Sequence, residues 1–468
     1  MTQCDNAMTR CSNRILIIAP AWLGDIIMAQ SLFSTLKDQD PHCEITVYAP
    51  AYAQALLERM PEVDHILINP FAHGSLLLVK RYSEGKKLRE LNFTKAYILS
   101  NSFKSALVPF FAHIPERYGL KGESRYLVIN RMRKDKKPFA RMVNRYVSLA
   151  YLDHPEVKND ATLPQFSYPH LQAQSPAHEL LNRLKISLDR PLLALGCGAN
   201  YGPAKLWPVE YFAEVSAHFI KQGGAILALG TAKDQPTVTA IAKALVQILH
   251  RSSSSSDTIS SSDAMSSSDA SNSSDASSAR DSGCSRNSSD ASSARDSGCS
   301  RNSSDASSAR DSGCSRNSSD ASSSSDASSS SDASEALSST SSPSDQATTT
   351  DEATAADNTP HIPYFYNIAG NTSLSEAIDL VSCCHAAVCN DSGMMHLVAA
   401  LDIPQVCIFG STSTGYTPPL SEKALCLESD LECHPCFKRT CRFNTYQCLK
   451  DLSPEQVLAK LAQIAPLN

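Results

Sequence analysis

"NDSGMMHLVAAL", Asn390–Leu401, follows the apolar run "HAAVC", His385–Cys389, and how this junction is read decides the fold. A short, continuous apolar run suits a strand buried on both faces. The chain leaves it through Asn, Asp, Ser and Gly, residue types that make turns and helix caps. A helical stretch then begins, with His396 in its first turns. Strand, tight polar turn and helix make up the repeating unit of a doubly wound parallel sheet, where ligands bind outside the carboxyl ends of the strands.

The same unit recurs in both directions along the chain. Upstream, "ILIIAP", "EITVYA", "HILIN" and "KAYIL" read as strands, and "DIIMAQSLFSTLK" places Ile26, Ala29, Phe33 and Leu36 on one helical stripe. In the second half "PLLALGCG", "GGAILALG", "AAVCN" and "PQVCIFG" alternate with helical stretches such as "PVEYFAEVSAHFIKQ" and "TSLSEAIDLVSCC". The expectation is an α/β protein with two doubly wound parallel sheets, a first domain over 14–165 and a second over 170–468. The join falls near "TLPQFSYPH", Thr162–His170, where Pro and polar residues cluster.

One stretch cannot belong to either core. From Ser252 to Asp357 the chain is nearly all Ser, Asp, Ala, Thr, Asn and Gly, and "NSSDASSARDSGCSR" recurs from Asn272, Asn287 and Asn302. These units lack the apolar residues that stacked repeats bury, so low complexity and disorder are expected. Without the insert roughly 360 residues remain, enough for two ordinary domains. The insert holds 17 acidic residues and 6 arginines, a balance of −11; since the whole chain is at −6, the remainder carries +5. A basic run, "RMRKDKKPFARMVNR", Arg131–Arg145, suits either an anionic partner such as a membrane surface or a plain solvated face. No apolar stretch approaches the ~18 residues of a membrane span, and the first residues make a poor signal peptide. Together with 16 cysteines, mostly reduced by this reading, that points to a cytoplasmic enzyme.

Three motifs sit at strand-to-helix turns. In "APAWLGDIIMAQSL", Ala19–Leu32, Gly24 permits a tight turn and Asp25 stands where a helix cap belongs. Asp25 is then either a cap or a carboxylate at the mouth of the sheet, able to take a proton from an acceptor hydroxyl. The absence of a GxGxxG counts against a dinucleotide oxidoreductase. "GCGANYGPAKLWP", Gly196–Pro208, is either a plain turn or a phosphate loop in which Lys205 supplies a mobile charge. In the opening stretch Asp391 or Ser392 caps a helix whose N-terminus suits a pyrophosphate, Gly393 leaves room for close approach, and His396 reads as a ligand contact or a core histidine.

Taken in order, "PAWLGDIIMAQSL", "SNSFKSALVPFFAHIPERYGLKGESR", "GANYGPAKLWP" and "NDSGMMHLVAAL" resemble the lipopolysaccharide heptosyltransferases, in particular their heptosyltransferase II branch, over roughly Arg14–Ile464 outside the insert. The resemblance implies a GT-B fold. It also implies inverting transfer of L-glycero-D-manno-heptose from ADP-heptose to the heptose on a Kdo-lipid A acceptor, at the inner face of the inner membrane. It makes Asp25 the base and places donor contacts at Asn200, Lys205, Asp391, Ser392, Gly393 and His396. Asn101, Ser102, Lys104, Arg117 and Arg125 become acceptor-side candidates. An acidic donor contact of a related branch has no obvious counterpart, Ala232 standing nearest. No cofactor, catalytic metal or nucleic acid is implied.

"CHPCFKRTCRFNTYQC" sets Cys433, Cys436, Cys441 and Cys448 close together, as structural thiols or as zinc ligands. Transfer at another core position, a GT-B-shaped nucleotide-sugar epimerase or hydrolase, and an inactive fold carrying the Ser/Asp repeats as a tether are the competing functional readings.

Overall fold

The structure, a computed structural model, describes residues 13–71, 75–257, 360 and 362–467. Twelve strands occur among them. The first sheet holds β1 (Arg14–Ile18), β2 (Glu44–Ala49), β3 (His65–Ile68), β4 (Lys95–Ile98), β5 (Glu116–Leu120) and β6 (Arg131–Arg133). The second holds β7 (Leu192–Gly196), β8 (Ala225–Leu229), β9 (Phe365–Asn367), β10 (Ala386–Asn390), β11 (Gln405–Phe409) and β12 (Ala424–Glu428). Strand orders are β3-β2-β1-β4-β5-β6 and β12-β11-β10-β7-β8-β9, and every pairing is parallel. Each sheet therefore reverses its winding once, between β1 and β4 and between β7 and β10, and these are the points where loops part to form a ligand crevice.

The strands legible as apolar runs are the inner ones together with β3 at one edge, and β7, β8, β10 and β11 are buried along their whole length. Strands β5, β6 and β12, at or next to a sheet edge, escape a hydrophobicity reading because they carry "ERYGL", "RMR" and "ALCLE", with the charge or partial exposure that keeps an edge from pairing further. The basic run Arg131–Arg145 opens with β6, and several of its charges are committed within the fold. Arg131 pairs with Glu116 and Asp153, Arg133 donates to the carbonyls of Ser148 and Val157, and Arg145 donates to that of Phe139. Lys134, Lys137 and Arg141 stay exposed.

Helix Gln235–Asp257 runs into the first residues of the low-complexity stretch that begins at Ser252, and β9 pairs with β8 although the repeat segment lies between them. The segment itself, from residue 258 to 357, lies outside the described residues.

Helix Leu23–Gln39 buries Ile26, Ala29, Phe33 and Leu36 as expected, but also Ile27, Met28, Gln30 and Ser31. Its second face is covered because helix Met142–Val147 packs on it, and so does helix Gly393–Ala400 from the second half. Arg59 makes a further tie between the halves. Its Nη2 lies 2.9 Å from Asp379 Oδ2 and 2.7 Å from Ser375 Oγ, and Asp379 Oδ1 accepts from the amide of Gln174 at 2.8 Å. Both side chains of this ion pair are nearly buried. Removing one partner strands a charge, so Arg59→Met is expected to cost about 3–5 kcal/mol in urea unfolding. A loss below about 1 kcal/mol would show that water reaches the pair and screens it.

Candidate active site

Asp25 lies inside the first turn of helix Leu23–Gln39, not at its cap: Trp22 is the capping residue, and its side chain makes no cap bond. The carboxylate is half-buried, and burial pushes its pKa up from 3.8 to about 6, against the opposing pull of Lys205. Lys205 belongs to the other half of the chain, in the short helical turn Pro203–Lys205 after β7. The tyrosines Tyr52, Tyr146 and Tyr416 also feel the Asp25 charge, which helps burial raise their pKa values.

Opposite stands the turn that ends β10. Asn390 is fully buried; its Nδ2 donates to the Cys197 carbonyl at 2.7 Å and its Oδ1 accepts from the Trp207 amide at 3.2 Å. An Asn is needed at the end of this strand because one side chain must both donate and accept, clipping the two ends of the β7 loop to β10. Lys205 Nζ reaches Asp391 Oδ2 at 2.5 Å, and the Thr412 hydroxyl donates to the same oxygen. Ser392 caps helix Gly393–Ala400 by position; its own hydroxyl is buried and makes no hydrogen bond among the described residues. Gly393 comes so close to Leu23 that an added Cβ would sit 3.2 Å from the Leu23 Cβ.

His396 is buried, and burial lowers its pKa to about 4, with Asp391 opposing the shift and Lys205 adding to it. The imidazole is therefore neutral at neutral pH and adds no positive charge to this side. Its ring packs on Gly24: a Cβ there would stand 2.5 Å from His396 Cδ2. Alanine would favour the helix by up to ~1 kcal/mol over glycine. The clash outweighs that, so Gly24→Ala is expected to lower stability by about 1–3 kcal/mol. Thermal unfolding checks it; a stabilised variant would mean the ring can move aside.

A family model described as glycosyltransferase family 9 (heptosyltransferase) matches residues 81–254 and 339–447. Lipopolysaccharide heptosyltransferase 2 of Escherichia coli (strain K12) is 32% identical over 451 residues, 96% of this chain and 97% of that one. The chain belongs to glycosyltransferase family 9, the heptosyltransferases. Lipooligosaccharide heptosyltransferase 2 of Haemophilus influenzae is 31% identical, covering 96% of this chain and 99% of its own. Among solved structures, that of E. coli ADP-heptose lps heptosyltransferase II aligns over 97% of this chain and 98% of its own, with a TM-score of 0.64 and 29% identity. The two parallel sheets are thus the GT-B arrangement of a glycosyltransferase.

In this heptosyltransferase Asp25, Lys205, Asp391, Gly393 and His396 come together across the two halves. Asn200 stands exposed on the turn after β7. The acceptor-side candidates divide. Asn101, Ser102 and Lys104 lie on or beside the turn that leaves β4, at the carboxyl edge of the first sheet, with Asn101 exposed and Ser102 and Lys104 half-buried. Arg117 lies near the start of β5, at the opposite edge, and its guanidinium donates to the carbonyls of Val128 and Ile114, so its charge is tied into the fold away from the carboxyl edge. Arg125 is wholly buried and donates to the carbonyls of Ser100 and Leu120, which makes it a brace for the β4 turn. Both arginines became acceptor-side candidates through the family resemblance, and in both the charge is spent on backbone oxygens.

An acidic group missed by the sequence reading does lie in the second half. Asp234 accepts from the Thr231 amide and hydroxyl at 2.8 Å each, and its carboxylate crowds the space where a Cβ on Gly198 would go. Ala232 only opens that turn. Thr412, Tyr146 and Tyr416 were missed as well. Thr412 and Tyr416 follow β11 in "GSTSTGY", and the polar loop after each strand was the available signal. Cys433, Cys436, Cys441 and Cys448 carry free thiols around one small cavity that His434 also lines. Among the described residues no set of three or more His, Cys, Asp or Glu is arranged to hold a metal ion.

Proposed function

We propose that this protein transfers L-glycero-D-manno-heptose from ADP-heptose to the heptose of a heptosyl-Kdo2-lipid A acceptor, with inversion at the anomeric carbon. One observation carries the reading: a half-buried carboxylate from the first sheet's opening turn, with its pKa raised to about 6, shares a site with the Lys205–Asp391 pair from the second. The relatives' names supply the donor and acceptor class.

Asp25 takes the proton of the acceptor hydroxyl as its oxygen attacks the anomeric carbon. The bond from that carbon to the diphosphate oxygen breaks, and ADP leaves with the electron pair. Lys205 and the N-terminus of helix Gly393–Ala400 stabilise the charge that develops on the diphosphate. Asn101, Ser102 and Lys104 serve as the acceptor-side contacts in this reading, and Asp234, whose Oδ2 is held by Thr231, is the carboxylate assigned to a ribose hydroxyl of the donor.

No helix among the described residues is long and apolar enough to cross a membrane. In this reading the lipid-linked acceptor is met at a membrane surface, and the exposed Lys134, Lys137 and Arg141 are suited to anionic headgroups. The deciding assay measures ADP release from ADP-heptose with acceptors one sugar shorter than, equal to and one sugar longer than heptosyl-Kdo2-lipid A. Release that depends on the middle acceptor supports the reading. Equal consumption of donor with no acceptor present would make the protein a nucleotide-sugar hydrolase or epimerase.

A further inference from the structure

The loop that leaves β11 enters none of the chemistry above, yet its Thr412 touches the centre of the donor-side charges. Thr412 is 5% exposed, and its hydroxyl donates to Asp391 Oδ2, the oxygen that also receives Lys205 Nζ. Among the described residues these are the hydrogen bonds made to that carboxylate.

The position of Thr412 is set from behind. His434 Nε2 stands 2.8 Å from the Thr412 carbonyl oxygen, and the Phe437 amide donates to the Ser411 carbonyl at 2.7 Å. The same segment grips the loop that carries Lys205: Tyr201 Oη donates to the Phe437 carbonyl at 2.6 Å, and the Ala204 amide to the Arg439 carbonyl at 3.1 Å. Ser411 closes the frame by donating its amide to the Ala204 carbonyl at 3.1 Å. Thr412 and Lys205 are therefore held by one set of hydrogen bonds, both directed at a single oxygen.

Asp391 repels any anion bound nearby, and each hydrogen placed on its oxygen offsets part of that repulsion. Without the threonine hydroxyl, Oδ2 would draw on Lys205 alone, and the ammonium would be less free to turn to a diphosphate. From this frame we infer that Thr412 is a positioning residue for the donor: it shares Asp391 with Lys205 and so leaves the lysine available to the leaving group. The inference rests on the donor site proposed above.

The test compares Thr412→Val, which keeps the shape and removes the hydroxyl, with Thr412→Ser, which keeps the hydroxyl. Calorimetric ADP affinity and the KM values for donor and acceptor are read in the full chain, after circular dichroism has verified folding. Thr412→Val is expected to weaken ADP binding and raise the donor KM about 10-fold with the acceptor KM unchanged, and Thr412→Ser to restore both to within about threefold. In an Asp391→Asn background the Thr412→Val effect should vanish, since the residue acts through that carboxylate. Should Thr412→Val fail to fold, Thr412→Ala carries the same readouts. Wild-type ADP affinity in the valine or alanine variant, an equal loss in the serine variant, or a full effect persisting without Asp391 each overturns the inference. A wild type that binds no ADP would overturn both this inference and the donor site it rests on.

Discussion

Asp25→Asn is expected to abolish heptosyl transfer, by about 10²–10⁴-fold, while ADP binding survives. The amide has nearly the shape of the carboxylate, so the packing around helix Leu23–Gln39 is kept and only the proton acceptor is lost. In the wild type the carboxyl pKa is lifted by burial to about 6. The active form is the ionised one, so kcat/KM should rise with pH through about 6 and level off above it. The variant should lose that limb.

Stability should move the other way. Between 3.8 and about 6 the folded chain holds the Asp25 proton more tightly than the unfolded chain does, so this group's contribution is largest at low pH and is lost as pH rises through that window. At neutral pH the wild type therefore carries a cost that Asn removes, on the order of 1–2 kcal/mol once the partial solvent exposure of the group is allowed for. A thermal melt at neutral pH should show the inactive variant to be the more stable protein. Normal turnover in Asp25→Asn would remove Asp25 from the role of base.

Lys205→Met is the second large effect, and it should act on two quantities at once. The ammonium is the positive partner of Asp391 at 2.5 Å, and both side chains are largely buried. Its loss takes a charge from the leaving group, and transfer is expected to fall about 10²–10³-fold. It also strands a buried carboxylate, at a cost of about 3 kcal/mol. Adding Asp391→Asn should recover most of the stability and none of the transfer, because the stranded charge is gone but the diphosphate still lacks its cation. Chemical denaturation and the ADP-release assay separate the two. A double variant that regains transfer would mean Lys205 serves the fold and not the reaction.

Much of this architecture was legible in the chain itself. Runs such as "ILIIAP" and "AAVCN" are apolar on both faces, and only the middle of a parallel sheet makes use of that, so two doubly wound sheets followed directly. The turn residues after β1, β7 and β10 marked Asp25, Lys205, Asp391 and Gly393 for the same reason: loops at the carboxyl ends of such strands are where a crevice opens. Charged strands near the sheet edge, such as β5 and β6, remained hidden because hydrophobicity carries no signal where one side faces water.

The order of residues does not contain who meets whom across the two halves. Arg117 and Arg125 have the charge of a sugar-phosphate pocket, yet folding turns both onto backbone oxygens. His396 has the chemistry of a ligand contact, yet burial leaves it neutral against Gly24. Thr412 looks like ordinary loop chemistry until the fold sets its hydroxyl on Asp391. Local pattern determined the strands and the turns because those depend on neighbours in sequence. Burial, charge pairing and proton affinity depend on neighbours in space, and only the packed tertiary structure decided them.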